Sequence, residues 1–263
     1  MNNFFVTNLW KLETDMQKMN FEIQLPEIDS VRNLPIHEEY FWFKQNGTKR
    51  KLRLHDYIEV YQIPYLYEHL MEKLDSKSHT VLTSLLVEQF TQAGGTVEDM
   101  VVLDIGAGSG WVGKTLADLG VKSIVGIDIL PEAAQAAQRQ YPGVYENYYA
   151  EDLTKLTQMT KQALNLRGFN CLICCSALSQ GHVPADALSV VYNQVAPNGF
   201  IAFNVAQYFW EDNTETGFRQ QHSWVEDQAI FEIMQMHPYR HRFYTDGRPL
   251  EYLAIVGRKR SSF

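Results

Sequence analysis

At 263 residues the chain is long enough for one large domain or for a domain with a substantial extension, since ~100 to 200 residues per domain is only a soft guide. A composition that is 45% hydrophobic and 21% charged, with 16 Gly and 9 Pro, excludes fibrous and disordered classes. The formal net charge of −8 argues against a nucleic-acid partner, because phosphate backbones are bound by Lys and Arg that displace condensed counterions.

Three cysteines, Cys171, Cys174 and Cys175, fall within five residues. A secreted disulfide framework normally shows an even, spread set, so a reducing cytoplasm is expected. The N-terminal "MNNFFVTNLWKLETDMQKMN" mixes acids and Lys among its apolar residues and does not read as a signal peptide. No stretch approaches ~18 uninterrupted apolar residues, so no membrane partner is expected.

In chain order, "EEYFWFKQNGTKRKLRLH" reads as a hairpin about Asn46 and Gly47, and "DYIEVYQIPYLYEHLMEKL" as helical with a break at Pro64. Val81, Leu82, Leu85, Leu86 and Phe90 give an amphipathic helix that stops at Gly94 and Gly95. A boundary near there divides an N-terminal cap, residues 1–97, from a main domain, residues 98–263. The apolar runs "MVVLDI", "SIVGIDI", "YENYYAE", "FNCLICCSA" and "GFIAFNV" then alternate with helical stretches, the pattern of repeated βα units around a parallel sheet. "WVEDQAIFEIMQMH" predicts a further helix. "RHRFYTDGRPLEYLAIVGRKR" predicts a hairpin about Asp246 and Gly247, which ends the sheet on an antiparallel strand. The fold class is therefore α/β, a doubly wound and mostly parallel sheet carrying an N-terminal α/β extension.

The segment "VVLDIGAGSGWVGKT" permits two cofactor readings. From Gly108, "GSGWVGKT" matches the P-loop pattern, with Lys114 and Thr115 serving a γ-phosphate and Mg²⁺. From Val101, the same letters are a strand, an acid and a glycine turn. A P-loop requires its strand to end at the first Gly, yet Asp104 and Gly106 already occupy the strand's end, and Trp111 and Val112 would stand where backbone wraps phosphate. In an open α/β sheet, glycines in the first βα turn let the backbone approach a ligand at the strand ends, and Gly106, Gly108 and Gly110 suit that role. Asp128 then ends the second strand where an acid can hydrogen-bond ribose hydroxyls. The spacing GxGxG differs from the nicotinamide fingerprint GxGxxG, and Asp104 just before the glycines disfavours a pyrophosphate.

On these residues the chain resembles the class I S-adenosylmethionine-dependent methyltransferases. "LDIGAGSG" is similar to their first motif, "AEDLTKL" to the segment after the third strand, "CCSALSQGHVP" to the fourth-strand motif, and "VAPNGFIAFNV" to the turn and fifth strand, with Asn198 in place of the usual first Gly. The resemblance spans about residues 98 to 260. "ALSQGHVPADAL" is more loosely similar to small-molecule-type methyltransferases of the Williams-Beuren region group and bacterial relatives. The resemblance implies a seven-stranded Rossmann-like methyltransferase fold and S-adenosylmethionine as cofactor. It also implies a cofactor site drawn from Asp104, Gly106, Ala107, Gly108, Asp128, Ile129, Asp152, Leu153 and Ser176, with Asp128 at the ribose and Asp152 at the adenine amine. "GKT" then falls on the helix after the loop.

Methyl transfer from a sulfonium is an in-line displacement that depends chiefly on alignment, so neither a metal nor a strong acid is obligatory. His182, after the fourth strand, is the candidate general base, although a His in a "GHVP" turn can equally serve as a helix cap. Tyr57, Tyr61, Tyr65 and Tyr67 form a candidate substrate lid, whose rings would attract cations, or a packed helix face. Cys171 and Cys174 point to opposite faces of a strand, which fits buried thiols better than a metal site. The basic run "KQNGTKRKLRLH" suits a solvated hairpin face or an anion-holding surface. No Asn-Pro-Pro-Tyr-like tetrapeptide and no Pro-Cys pair occurs. With the acidic balance, their absence makes a small molecule with an N or O nucleophile the expected acceptor. A non-catalytic adenosine-binding regulator and a P-loop NTPase are the rival readings.

Overall fold

The computed structural model describes residues 20–178 and 185–261, with only the backbone at Ala185, Asp186 and Ser189. The N-terminal part opens with an antiparallel sheet of β1 (Phe21–Gln24), β2 (Tyr40–Gln45) and β3 (Thr48–Arg53), in the order β1-β2-β3. The expected hairpin joins β2 to β3, with Gln45 opposite Thr48 and both Asn46 and Gly47 at positive φ, as a two-residue turn between twisted strands requires. Alternation does the rest: Phe41, Phe43 and Leu52 are buried with Ile23 against Val60, Leu66 and Leu70. The basic run lies on the solvent side of β3, with Lys49 over the Trp42 ring and Lys51 over that of Tyr40.

Helices Tyr57–Gln62 and Leu66–Lys73 follow, separated at Pro64 by Tyr65 in the left-handed region, φ 57°. Proline disfavours helical backbone in the residue before it, which accounts for the break.

The main sheet has seven strands in the order β6-β5-β4-β7-β8-β10-β9. They are β4 (Val101–Ile105), β5 (Ser123–Asp128), β6 (Asn147–Ala150), β7 (Phe169–Cys174), β8 (Val195–Ala206), β9 (Phe231–Phe243) and β10 (Pro249–Lys259). Pairing is parallel from β6 to β8, and β10 runs antiparallel to both β8 and β9. Adjacent positions along β4 and β7 divide between two cores. Leu103, Ile105, Leu172 and Cys174 pack with Leu164, Leu188 and Val191, while Val102, Cys171 and Ile173 pack with Leu82, Leu86 and Leu116. Helices therefore cover both faces, and Cys171 and Cys174 of the "CLICC" run are core residues on opposite sides, as the period of a strand dictates.

Helix Ser78–Gln92, which precedes the expected boundary at residue 97, lies on the sheet and buries Leu82, Leu86 and Phe90 there. Asn198 adopts φ 64° within β8, where the pairing with β7 shifts register. Asn tolerates that left-handed conformation better than most non-glycine residues.

The helix expected over residues 224–237 is corrected by the structure. Ser223–Val225 form a single 3₁₀ turn, and from Phe231 the chain is the edge strand β9, paired with β10 from Phe231↔Lys259 to Phe243↔Pro249. Short apolar runs do not distinguish the two periods, and the pairing offered by β10 decides the outcome. Pro238 fits an edge strand, which can forgo one ladder donor. The expected turn is present, with Gly247 at φ 84°.

Candidate functional site

The strand order reverses direction between β4 and β7, and in such sheets ligands bind beyond the carboxyl ends of the strands at that point. A cavity of about 800 Å³ opens there. Its floor comes from the ends of four strands: Gly106 after β4, Asp128 at the end of β5, Glu151 and Asp152 after β6, and Cys175 and Ser176 after β7. Its roof comes from the N-terminal part, through Tyr57, Tyr61 and Tyr67.

The glycine turn holds its shape through backbone conformation. Gly106 and Gly108 have φ of 63° and 54°, and a side chain at either would collide with a neighbour. A Cβ on Gly106 would lie 2.6 Å from the Ala177 methyl, and one on Gly108 would lie 2.7 Å from the Tyr61 hydroxyl. Gly108 N–H donates to Asp128 Oδ2 at 2.9 Å, and Leu130 N–H donates to Oδ1 at 3.0 Å. Burial raises the Asp128 carboxyl above its ordinary range, while these backbone donors oppose the shift. A carboxylate seated on the loop's Gly108 N–H would repel phosphate. Lys114, the residue a P-loop would aim at phosphate, instead pairs with Asp118 one turn along helix Trp111–Asp118.

Asp104 lies behind the loop and is fully buried. Tyr145 donates to its Oδ2 at 2.7 Å, while Oδ1 has no hydrogen-bond partner among the described residues. Burial pushes this carboxyl up to about 7, against the pull of the Tyr145 hydrogen bond.

On the wall, the left-handed Ser176 (φ 59°) is held by the buried Asn204 of β8. Asn204 Oδ1 accepts from Ser176 N–H at 2.5 Å, and its amide donates to Tyr239 and Ser78 at 2.7 and 3.0 Å. Asp152 accepts from Thr154 N–H at 2.9 Å and Thr154 Oγ1 at 2.7 Å, and the Thr154 side-chain hydrogen bond holds its carboxyl below the usual range.

The roof is an aromatic unit. Tyr57 stacks on Tyr61 with centroids 5.6 Å apart, and Tyr61 meets Tyr67 edge-on at 5.5 Å. Tyr61 packs on Ala133 and Ala136 of helix Pro131–Gln140, and Arg139 donates to the Tyr61 carbonyl at 2.7 Å. Glu68 reaches across to the glycine loop, where Oε1 accepts from Ser109 Oγ and, at 2.8 Å, from Gln140. On the far side Arg242 and Glu39 form a buried ion pair at 2.6 Å.

Of the residues expected from sequence, Gly106, Asp128, Ile129, Asp152, Leu153, Ser176, Tyr57, Tyr61 and Tyr67 line the cavity. Ala107 and Gly108 shape the turn beneath it, and Asp104 stands behind. Tyr65 is directed elsewhere: past the Pro64 break its ring meets Tyr141 edge-on, and its hydroxyl donates to the Gln140 carbonyl at 3.3 Å. His182 and most of the "ALSQGHVPADAL" segment lie outside the described residues. Glu151 and Cys175, immediate neighbours of expected residues, were missed. So were Glu68 and Asn204, whose partners lie 41 and 28 residues away and leave no local signal. Among the described residues no group of three or more His, Cys, Asp or Glu is arranged to hold a metal ion, and no helix is long and apolar enough to cross a membrane.

A donor made of a sulfonium, an adenosine and an amino acid fits these features: a turn open to backbone approach, a carboxylate at the end of β5, and a second buried carboxylate with an orphaned oxygen. The family comparison agrees. A family model described as a methyltransferase domain matches residues 76–253. An S-adenosylmethionine-dependent methyltransferase from Clostridium acetobutylicum is similar in structure, with TM-score 0.52 and 12% identity over 74% of this chain and 98% of that one. The N-methyltransferase NodS from Bradyrhizobium japonicum, in complex with S-adenosyl-L-homocysteine, has TM-score 0.48 and 15% identity over 71% of this chain and 90% of that one. No curated protein matches the sequence. With the family model spanning well over half of the chain and the seven-stranded sheet in place, the chain belongs to the methyltransferase domain family and is a class I, S-adenosylmethionine-dependent enzyme.

Proposed function

We propose that this enzyme methylates an N or O nucleophile of a small molecule held between the cap tyrosines and the carboxyl ends of β4 to β7. The observation that carries the reading is the roofed cavity of about 800 Å³. That lies in the upper part of the ~300 to 1,000 Å³ range of ligand pockets and gives room for a donor and a modest acceptor side by side. A roof over the strand ends suits a molecule that can be enclosed better than a long polymer. The net charge of −8 supports the same choice.

S-adenosylmethionine supplies an activated methyl group when bound. The chain's residues would supply position: Asp128 would accept from ribose hydroxyls, Ile129, Asp152 and Leu153 would frame the adenine, and the Gly106–Gly108 backbone would meet the amino-acid end. Ser176, fixed by Asn204, would complete the donor site at the end of β7. Alignment of this kind is worth up to ~7 to 11 kcal/mol of barrier. His182 is the general base of the proposal, drawing the proton from an acceptor hydroxyl or amine. Residues 1–97 act as the cap of a catalytic domain at 98–263, working in the cytoplasm.

The test is an incubation with labelled methyl donor against a dialysable metabolite fraction, total RNA and total protein. Label in the dialysable fraction is expected. Label confined to RNA or to protein would overturn the small-molecule assignment.

A further inference from the structure

Resting on the reading above, the structure assigns the acceptor a chemical class: we propose that it is an amine, bound as a cation against the tyrosine roof. The first observation is the charge of the cavity wall. Asp56, Glu59, Asp128, Glu151 and Asp152 line it, and no Lys or Arg does among the described residues.

The second observation is where the nearby cations are committed. Arg53 pairs with Asp56 at 2.8 Å, Arg50 pairs with Glu59, and Arg242 is buried on Glu39 at 2.6 Å. Lys155 stands 3.7 Å from Asp152 with its side chain 81% exposed. Two of the five lining carboxylates are thus balanced by Arg, while Asp128 and Glu151 have no cationic partner among the described residues. Glu151 instead accepts from Thr157 N–H at 2.8 Å and Thr160 Oγ1 at 2.6 Å, and the Thr160 bond is the main reason its carboxyl stays below the usual range. Glu151 thus borders the cavity as an anion whose oxygens are held by Thr157 and Thr160.

The third observation is the roof itself. Tyr57, Tyr61 and Tyr67 present a continuous set of rings to the cavity, and aromatic rings attract cations, more strongly as water is excluded. A carboxylate or phosphate on the acceptor would meet carboxylates of like sign with no unpaired partner, a costly arrangement in a partly dehydrated cavity. An ammonium gains from both the wall and the roof.

Chemically the class is consistent with methyl transfer. The ammonium first gives up a proton, to the general base of the reading above or to solvent at the cavity mouth. The nitrogen lone pair then forms the N–C bond, the C–S bond breaks, and its electron pair stays on sulfur, which becomes a neutral thioether. The methylated nitrogen carries the positive charge that the sulfonium loses, so after the proton has left the wall keeps one cationic neighbour through the transfer.

The test is calorimetry on the full chain saturated with S-adenosylhomocysteine, titrated with three compounds of one skeleton: 2-phenylethylamine, 2-phenylethanol and 3-phenylpropanoate. The amine is expected to bind roughly tenfold more tightly than the alcohol, the scale of a cation–π contact, and the carboxylate more weakly than either. In Tyr67→Leu the amine preference should shrink severalfold, and in Tyr67→Phe, which keeps the ring, it should persist. Because the wild-type comparison of three compounds needs no variant, a Tyr67→Leu chain that fails to fold leaves the test intact. Equal or tighter binding of the carboxylate, or no binding of any of the three at millimolar concentration, would overturn the amine assignment. Failure of S-adenosylhomocysteine itself to bind would instead overturn the donor site on which the assignment rests.

Discussion

Single residues decide the donor site, and two of them make sharp expectations. Asp128 touches the glycine turn and the start of the next helix through its two oxygens, so Asp128→Ala should weaken S-adenosylhomocysteine by about 1.5 to 3 kcal/mol, the scale of hydrogen bonds to a charged group. Unchanged affinity by calorimetry would remove Asp128 from the site. Glu68 gives a pH signature. Burial raises its carboxyl from 4.5 to about 7, the Ser109 and Gln140 hydrogen bonds only partly opposing the shift. Between these values the unfolded chain has released a proton that the folded chain keeps, so this group's contribution to stability falls as pH rises through that window and levels off above it. Asp104, raised from 3.8 to about 7, acts in the same direction. Glu68→Gln removes one of the two slopes. Its free energy of unfolding should exceed that of the wild type by on the order of 1 to 3 kcal/mol at pH ~8 and by little at pH ~4. Parallel stability curves for the two proteins would show that Glu68 is not held protonated in the fold.

At the scale of elements, the cap is the part whose behaviour matters most for turnover. Helices Tyr57–Gln62 and Leu66–Lys73 touch both the glycine turn and helix Pro131–Gln140. Donor binding should therefore slow hydrogen exchange over residues 57–67, since a segment that closes on a ligand loses local openings. Protection confined to residues after 98 would reduce the cap to a static extension. The same elements show what sequence can carry. Strands β4, β5, β7 and β8 were legible because they are largely buried on both faces and read as short apolar runs, and both hairpins because Asn46-Gly47 and Asp246-Gly247 demand their turns. β9 was not legible: Phe231, Ile233, Met234 and Met236 suit a helix as well as a strand, and only pairing of this stretch with β10, 19 to 28 residues further on, settles the matter. Within the site, contacts made by the strand ends could be read from motif spacing. The cap's bonds could not: nothing local in Tyr65 separates it from Tyr57 and Tyr61 until the Pro64 break turns it toward Tyr141.

At the scale of the whole molecule, one stretch supports two incompatible cofactors until the fold arbitrates. The turn Gly106–Gly110 stands at the reversal of a seven-stranded sheet, the N–H of its Gly108 engaged by Asp128, with Lys114 turned along its helix to Asp118. The cavity above it is closed by a cap that the sheet itself anchors, through Phe243 N–H to the Leu74 carbonyl and Lys77 N–H to the His241 carbonyl, both 2.8 Å. The measurement that tests this account most directly is calorimetric titration of S-adenosylhomocysteine and of ATP with Mg²⁺ into the full chain, Lys114→Ala and Gly108→Val. Binding of S-adenosylhomocysteine and not ATP is expected, with affinity kept within about 0.5 kcal/mol in Lys114→Ala and lost in Gly108→Val, where a side chain would meet Tyr61 at a positive φ. Binding of ATP that disappears in Lys114→Ala, with no heat from S-adenosylhomocysteine, would contradict the methyltransferase assignment.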